Sequence, residues 1–401
     1  MSFDIALSGI SAINNQLETI SNNIANTGTY GFKSSRANFA SMYAGSQPAG
    51  AEVASITQSI GIGGGAQTTG RGMDAMIEGR GFFVTRDSAG QMAYTRVGIF
   101  SIDKNGYVVD SAGRNVQGYG QLYDAAGRPL EGAALGAMDN LKLRDGQIAA
   151  QATDSLRYVG NLSSDWTVPT AAFDQANPLS YNSASTSVVY DSLGSKHTVT
   201  QYFVKTGPGA ITVRYGFDGT MQANTANLTF NTEGQLTAPT GGVNLAIAAP
   251  AGAAALAINI DYTGSTQFGG ATTELTNAAT GYASGVLTGV QIDSDGSVLG
   301  VYSNGMKQRA GTLALATFPN EDALVPISGT AWATSSETGE PLYSTPGTGI
   351  TGKLTAGALE QSNVDMSTQL VMLMTAQRNY QANTKVISTH SAMMQSLMQA
   401  V

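Results

Sequence analysis

Heptad spacing of apolar residues occurs at both ends of the 401-residue chain and almost nowhere between them. Near the N-terminus the spacings alternate between three and four, at Phe3, Ala6, Ile10, Ile13, Leu17, Ile20 and Ile24. Near the other end the apolar residues are seven apart, at Leu359, Met366, Leu373, Tyr380, Ile387, Met394 and Val401. These patterns predict a first helix that ends by Thr27 or Gly28 and a second helix about 60 Å long. Because neither helix can bury its own apolar stripe, we expect the helices to pair with each other or with copies of themselves.

Between the helices, hairpin patterns replace the helical spacing. Apolar and polar residues alternate around turns such as Asp103-Lys104-Asn105-Gly106, which predicts antiparallel strands at 94–100, 106–110, 116–119, 286–293, 297–302 and 312–318. A central stretch adds strands at 187–190, 196–205, 211–217 and 256–261, whereas the Ala/Gly/Pro-rich residues 237–256 predict long loops. The expected fold is mixed α and β and multidomain, with long coiled-coil-like terminal helices paired together and nested antiparallel β-rich domains inserted between them.

The order of these patterns predicts four regions. They are a terminal helical domain (1–32 with 357–401), an extended linker (33–70), a discontinuous β-rich middle domain (71–145 with 285–356) and an inserted β-rich outer domain (146–284). The linker contains the sequence GIGGGA at 61–66, which loosely fits a phosphate-binding pattern. No helical pattern follows it, so no helix N-terminus could hold a pyrophosphate, and we interpret these glycines as a flexible segment.

Composition narrows the classes of partner. Only 12% of residues are charged, about half the usual ~25%, and the net charge is -8 without a cluster of Lys or Arg. Nucleic acids and anionic membranes bind clustered cations, so neither is an expected partner. Cysteine is absent, which excludes disulfides and thiolate metal sites. The N-terminal residues do not form a secretory signal peptide, and no run of 18 apolar residues predicts insertion into a membrane.

No catalytic or cofactor motif stands out. The two histidines, His197 and His390, are far apart in the chain, and no catalytic motif or carboxylate cluster accompanies either. Asp293 and Asp295 hint at a calcium loop, but a hairpin turn fits their spacing better. We therefore expect no enzyme, no cofactor and no metal. Two alternatives stay open at this stage. Carboxylates that are far apart in the sequence could form a catalytic pair in the folded chain, or the chain could be a secreted β-rich carbohydrate-binding protein.

Three segments resemble one known family, the bacterial flagellar rod and hook axial proteins. Residues 22–33 (NNIANTGTYGFK) resemble the N-terminal signature of that family, and residues 357–365 (GALEQSNVD) with 376–383 (AQRNYQAN) resemble its C-terminal signature. Residues 69–84 are similar to the sequence that opens the family's first β domain. The motif positions carried over are Asn22, Asn23, Ala25, Asn26, Gly31, Phe32, Glu360, Ser362, Asn363 and Asp365. The large central insertion and residues 187–206, which resemble the outer domain of hook members, favour a hook protein over a distal rod subunit, which is the alternative within the family.

The resemblance implies a structural subunit of the flagellar hook, which self-assembles into a curved, flexible tube that acts as a universal joint between rod and filament. The implied partners are further copies of the chain, the distal rod, the hook cap, the hook-filament junction proteins and the flagellar type III export apparatus. The implied location is the extracellular hook, reached without cleavage of a signal peptide. Phe39 and Tyr43 match a short export-gate pattern. The expected self-assembly seam comprises Phe3, Ile10, Ile13, Leu17, Ile20, Ile24, Met366, Leu373, Tyr380, Ile387 and Met394.

Overall fold

A computed structural model of the chain describes residues 2–44, 47–122, 136–143, 146–250 and 252–400. Two α-helices lie at its ends, α1 (Ser2–Ala25) and α2 (Met366–Ala400). The first ten strands are β1 (Ser35–Ala44), β2 (Gln47–Gln58), β3 (Ala66–Thr68), β4 (Ala75–Glu78), β5 (Phe82–Arg86), β6 (Met92–Thr95), β7 (Phe100–Ile102), β8 (Val108–Asp110), β9 (Asn115–Gly120) and β10 (Met138–Asn140). The next ten are β11 (Gln147–Ile148), β12 (Ser155–Asn161), β13 (Ser183–Tyr190), β14 (Lys196–Gly207), β15 (Ala210–Phe217), β16 (Thr220–Phe230), β17 (Leu236–Ala238), β18 (Val243–Ile247), β19 (Leu256–Asp261) and β20 (Thr273–Ala279). The last are β21 (Gly285–Ile292), β22 (Ser297–Tyr302), β23 (Lys307–Leu313), β24 (Leu315–Thr317), β25 (Val325–Ile327), β26 (Ala331–Ala333), β27 (Leu342–Ser344), β28 (Lys353–Ala356) and β29 (Ala358–Glu360).

The two terminal helices pack against each other as an antiparallel pair. At one end Asn23 Nδ2 donates to Gln369 Oε1 at 3.2 Å, and at the other end the rings of Phe3 and His390 are 6.0 Å apart. Ile13, Ile20 and Ala376 form the buried centre of the pair, and Leu17, Ile24 and Leu373 pack against it. The paired terminal helices expected from the heptads, and the mixed multidomain fold, are confirmed.

The start of the second helix differs from the prediction. The heptad pattern places Leu359 on this helix, but Leu359 is buried in β29 and the helix begins at Met366. Asp365 fixes this start, because its carboxylate accepts a hydrogen bond from the Ser367 N–H at 3.0 Å as a helix cap does. With 35 residues the helix is about 52 Å long, shorter than the expected ~60 Å. Val401, the last heptad position, lies outside the described residues.

The chain divides into two compact units. The first comprises Met1–Asp145, Thr288–Val301 and Lys307–Val401, and the second comprises Gly146–Leu287 and Tyr302–Met306. The first unit thus contains both helices, strands β1 and β2, and the strands of the predicted middle domain. The finer division of that unit into helical, linker and middle regions stays a prediction. The second unit begins at Gly146, the residue at which the predicted outer domain begins.

A branched antiparallel sheet forms the centre of the first unit. Its main path of neighbouring strands is β22-β23-β9-β5-β6-β26-β25. Phe82 of β5 is fully buried and packs edge-on against Phe318 and Trp332, with ring centroids 5.9 and 5.5 Å away. Gly79 and Gly81 precede this strand with φ of 105° and 119°, values that allow the tight turn and that other residues rarely adopt.

Residues 33–70, predicted to be an extended linker, form a long β-hairpin and a short strand. β1 and β2 pair antiparallel from Ser35↔Gln58 to Ala44↔Gln47, with two register shifts along the ladder. β3 then pairs with β29, next to the C-terminal helix. The hairpin was missed because its strands carry small and polar residues, which weaken the alternation of apolar and polar positions on which a strand prediction depends.

The second unit consists of two sheets around one core. The strand orders are β18-β19-β12-β20 and β13-β14-β15-β16-β17. Large side chains such as Tyr158, Phe203 and Tyr262 fill the core. The Tyr262 hydroxyl donates to Gln201 Oε1 at 2.5 Å and lies 2.9 Å from the Tyr215 hydroxyl, which gives both buried hydroxyls a hydrogen-bond partner.

The prediction of loops at 237–256 is wrong for Val243–Ile247, which is β18. Leu245 and Ile247 are buried, whereas Asn244 and Ala246 are exposed. The alternation was therefore present in the sequence, but the surrounding Ala, Gly and Pro residues obscured it.

The glycine run at 61–66 makes close backbone contacts instead of forming a flexible segment. A Cβ atom on Gly64 would lie 1.8 Å from the Gln361 carbonyl oxygen, whereas a Cβ on Gly61 would meet nothing within 4 Å. Gly64 therefore lets residues 61–66 approach the segment that leads into α2.

We predict that Gly64→Ala lowers the free energy of unfolding of the first unit by ~1–3 kcal/mol, because the added methyl group overlaps a backbone carbonyl. Gly61→Ala is the matched control and should change stability by less than about 0.5 kcal/mol. Urea unfolding followed by Trp332 fluorescence in a Trp166→Phe background measures the first unit. Equal midpoints for the two variants would contradict the close approach.

Candidate functional site

A buried carboxylate joins three distant parts of the chain. Glu360 Oε1 lies 2.6 Å from Lys33 Nζ, and both side chains are 0% exposed. Glu360 Oε2 lies 3.4 Å from Arg96 Nη1, and that side chain is 3% exposed. The Gly64 N–H also donates to Glu360 Oε1 at 3.0 Å. We call Lys33, Gly64, Arg96 and Glu360 the terminal junction.

Backbone carbonyls also accept hydrogen bonds from the two cations. Lys33 Nζ donates to the Ile62 carbonyl at 2.7 Å, and Arg96 Nη2 donates to the Gly79 carbonyl at 2.8 Å. Burial lowers the pKa of Lys33 and of Arg96, and the negative charge of Glu360 opposes this shift in both. One carboxylate thus holds two desolvated cations, so removing it leaves both charges uncompensated.

Two asparagines extend the junction to the helices. Asn23 Nδ2 donates to the Ser35 carbonyl at 2.7 Å, while its Oδ1 accepts from the Ser35 N–H at 2.9 Å. Asn363 Oδ1 accepts from the Ser34 N–H at 2.7 Å, and its Nδ2 donates to the carbonyls of Ser59 and Ile62. Each amide satisfies backbone groups from another segment, a role that an aliphatic side chain of similar size could not perform.

The other motif positions serve local turns and caps. Gly31 has a φ of 68° and donates its N–H to the Glu360 carbonyl at 2.8 Å, and a Cβ there would lie 3.0 Å from the Arg96 backbone. Asn26 Nδ2 donates to Asn22 Oδ1 at 2.8 Å at the end of α1. The remaining positions are Ala25 (exposed at the end of α1), Phe32 (half-buried, its carbonyl accepting from the Asn363 N–H), Ser362 (accepting from the Val364 N–H) and Asp365 (capping α2).

The seam predicted for self-assembly is only partly buried within one chain. Its residues fall into four groups: buried (Ile13, Ile20), packed beside them (Leu17, Ile24, Leu373), half-buried (Ile10, Ile387) and exposed (Phe3, Met366, Tyr380, Met394). The helix pair brings the central positions together and leaves the outer positions of the seam partly exposed in a single chain. Their role in assembly stays a prediction.

Phe39 and Tyr43, the positions of the export-gate pattern, lie on β1 and are 46% and 66% exposed. Exposed aromatic side chains on a hairpin are accessible to a partner in the monomer. Their role in export stays a prediction.

His197 in the second unit contacts two carboxylates that the sequence analysis did not connect with it. Its Nδ1 lies 2.6 Å from Asp218 Oδ2, and its Nε2 lies 3.3 Å from Asp191 Oδ2. Asp191 lies just after β13 and Asp218 just after β15, so the imidazole bridges two hairpin turns. Among the described residues, no group of three or more His, Cys, Asp or Glu side chains is arranged to hold a metal ion.

Hydrogen bonds shift the pKa values of this cluster in opposite directions. The hydrogen bond to Asp218 is the main cause that raises the pKa of His197 above 6.5; burial opposes it and Asp191 adds to it. Desolvation opposes ionisation of Asp191 and Asp218, but their hydrogen bonds outweigh it and lower both pKa values below 3.8. All three side chains are therefore charged at pH values above the lowered carboxyl pKa values and below the raised imidazole pKa.

We predict that Glu360→Gln lowers the free energy of unfolding of the first unit by ~3–5 kcal/mol, because Lys33 and Arg96 stay buried without their counter-charge. The exposed Glu337 supplies the matched control, Glu337→Gln, for which we expect almost no change. Urea unfolding followed by Trp332 fluorescence in a Trp166→Phe background measures both. A loss no larger than that of the control would show that the junction does not depend on the carboxylate charge.

We predict that the second unit becomes less stable as the pH rises above the ordinary histidine pKa of about 6.5 and through the raised pKa of His197. A histidine whose folded-state pKa is raised contributes stability that is complete below its unfolded pKa and is lost as the pH rises through the folded pKa. The urea midpoint, followed by Trp166 fluorescence in a Trp332→Phe background, measures this effect. His197→Gln should remove the His197 part of the pH dependence, whereas His390→Gln should retain it; the same profile for both variants would exclude His197 as its source.

No helix in the described part of the chain is long and apolar enough to cross a membrane. The charged clusters support the backbone and turns. The N-terminal signature contains Lys33 without indicating its role, and no sequence pattern indicates Arg96 or Gln369. Only the rarity of charge in this sequence could have drawn attention to the two cations.

Four protein-family models match successive parts of the chain. They describe the flagella basal body rod protein (residues 3–33), the flagellar hook protein FlgE/F/G D1 domain (76–156), the flagellar basal body protein FlaE D2 domain (161–282) and the flagellar basal body rod FlgEFG protein C-terminal region (355–400). Their order along the chain is the order of the elements described above.

Similarity to individual proteins extends over almost the whole chain. Flagellar hook protein FlgE of Escherichia coli K12 is 38% identical over 403 residues, which cover 99% of each chain, and that of Brucella suis is 32% identical over 98% of this chain and 96% of its own. The crystal structure of Helicobacter pylori flagellar hook protein FlgE2 is similar in fold, with a TM-score of 0.53 and 11% identity over 74% of this chain and 100% of its own. The chain therefore belongs to the flagellar hook protein family, whose members are structural proteins and not enzymes, as the sequence predicted.

Proposed function

We propose that the chain is the repeating subunit of a flagellar hook and that its terminal helices hold the assembled tube together. The observation that carries this proposal is the unequal burial of the helix pair. Ile13 and Ile20 of the seam are buried between the helices, but its positions Met366, Tyr380 and Met394 on α2 are exposed. An exposed apolar face of this length on a soluble chain is a typical association surface.

Cohesion would come from the part of the helical seam that a single chain leaves exposed. Full burial of one apolar side chain such as Leu or Met contributes ~1.5–3 kcal/mol, so a few seam positions per subunit supply strong contacts once copies meet. Much of this stabilisation becomes available only on assembly, because the monomer leaves these side chains in water. The β-rich regions would form the outer layers of the tube, where contacts between small and polar residues can slide as the tube bends.

The remaining parts of the proposal concern partners and location. A hook subunit joins the distal rod at one end, meets the hook cap during growth, and joins the hook-filament junction proteins at the other end. The flagellar type III export apparatus would deliver the chain to the extracellular hook, and Phe39 and Tyr43 are accessible for recognition at that step. Absence of cysteine suits export of an unfolded chain, since no premature crosslink can form.

Electron microscopy of the concentrated, purified full chain tests this function. Curved tubes support a hook subunit. Straight, rigid tubes would indicate a rod-like assembly, and the absence of any tube would overturn the proposed self-assembly.

We predict that Ile13→Asp combined with Ile20→Asp abolishes tube formation, because each change places a charge in the buried centre of the helix pair. Ser11→Asp with Ser21→Asp adds the same charge at exposed positions of α1 and should leave assembly nearly unchanged. Sedimentation measures the polymer, and Trp166 and Trp332 fluorescence verifies that both units stay folded. Tubes formed equally by both double variants would exclude the helical seam as the cohesive element.

A further inference from the structure

A groove of about 630 Å³ lies between α1, α2 and the hairpin β1-β2. Its walls combine the apolar side chains of Ile5, Ile13 and Phe39 with the amides of Gln16, Asn379 and Asn383. None of its lining residues is charged. Gly50 brings the hairpin against α1, since a Cβ there would lie 1.9 Å from Ser8 Oγ, and so helps to close the groove on that side.

The end of α2 forms a second unpartnered surface. The Phe3 ring, near the start of α1, lies 6.0 Å from the His390 ring, so residues 391–400 of α2 extend beyond α1 by about 15 Å. We call this segment the overhang. Its sequence, SAMMQSLMQA, contains no charged residue, and its large apolar side chains are all exposed: Met393 64%, Met394 49%, Leu397 62% and Met398 71%.

We propose that the overhang of one copy docks in the groove of a second copy. Met394, Leu397 and Met398 stand at i, i+3 and i+4, the spacing with which a helix presents side chains to an apolar groove. The groove has a volume typical of pockets that enclose several apolar groups. Methionine side chains are flexible and adapt to irregular walls. Since neither surface carries a charge, docking desolvates no ion.

The overhang cannot dock in the groove of its own chain, because a continuous helix cannot turn back on itself. The groove that it enters must therefore belong to another copy. Asn379 and Asn383 of α2 line the groove, and the overhang belongs to the same unbroken helix. The two surfaces also differ from each other, so each copy offers one donor surface and one acceptor surface. Such head-to-tail contacts build rings or open helical polymers instead of closed dimers. The inference rests on the proposed hook function and names the contact that would link its subunits.

A cysteine crosslink tests this contact, because the natural chain contains no cysteine. Ala382 lines the groove and Leu397 lies on the overhang. The two positions are 15 residues apart on one helix, about 22 Å, so a disulfide between them can form only between copies. The test variant is Ala382→Cys with Leu397→Cys. The control variant, Ala382→Cys with Gln399→Cys, places the second cysteine on another face of the overhang.

Assembled chains are treated with copper(II)-phenanthroline in air and separated on a non-reducing gel, with tubes counted by electron microscopy beforehand. We expect a ladder of crosslinked chains about tenfold stronger for the test variant than for the control, because only close Cβ atoms form the bond. Tubes with equal or no ladders would overturn the docking and leave the hook function standing. A natural chain that forms no tubes would overturn the hook function and the docking with it.

A charge substitution tests the same contact without cysteine, in case the cysteine variant does not assemble. Leu397→Glu should reduce sedimentable polymer at least about tenfold relative to Gln399→Glu, since only the first places a carboxylate in the apolar groove. The additional change Ala382→Lys should restore much of the polymer lost by Leu397→Glu. Equal polymer yields for Leu397→Glu and Gln399→Glu would overturn the docking.

Discussion

The Glu360 carboxylate is the constraint on which the first unit depends. It is the shared counter-charge of Lys33 and Arg96 in a site that water does not reach, and it lies only a few residues before α2. Burying an ion without a partner costs several kcal/mol, so the segments that carry these charges are stable only when all three are in place. The junction therefore makes order at one end of the chain conditional on order at the other. This coupling follows from the cost of leaving a charge unpaired, not from the net strength of an ion pair.

The terminal helices are fixed at one end and open at the other. Near the junction, Asn23, Asn363 and Asp365 hold the end of α1 and the start of α2 with hydrogen bonds. Toward the other end of the pair, the rings of Phe3 and His390 lie 6.0 Å apart, and the overhang begins just beyond them. Helices in water gain most of their stability from packing against partners. The open end of α2 thus has the least support in a single chain and the most to gain from a neighbour.

The sequence predicted the features that repeat and missed those that join distant segments. Alternation identified Leu256–Asp261, in which Leu256, Ile258 and Ile260 are buried, and heptads identified both helices. Heptads also extended the second helix back to Leu359, because spacing alone cannot distinguish a buried helical residue from a buried residue in a short strand. Resemblance to a family selected Glu360 and Asn363 without explaining them. Arg96 could not be found, since its role depends on a contact with a residue 264 positions away.

The few charges of the chain have one consequence where they are buried, and their absence has another at the groove and the overhang. Where charges are buried, as at the junction, they fix one arrangement of the backbone because each is stable only with its partners from other segments in place. The groove and the overhang carry none, so attraction between them would come from apolar area and would be little affected by ionic screening. Apolar contacts are also non-directional, which lets neighbouring surfaces shift without losing all their stabilisation. A rigid, charged junction inside each subunit and uncharged contacts between subunits together suit a tube whose subunits keep their shape while the tube bends.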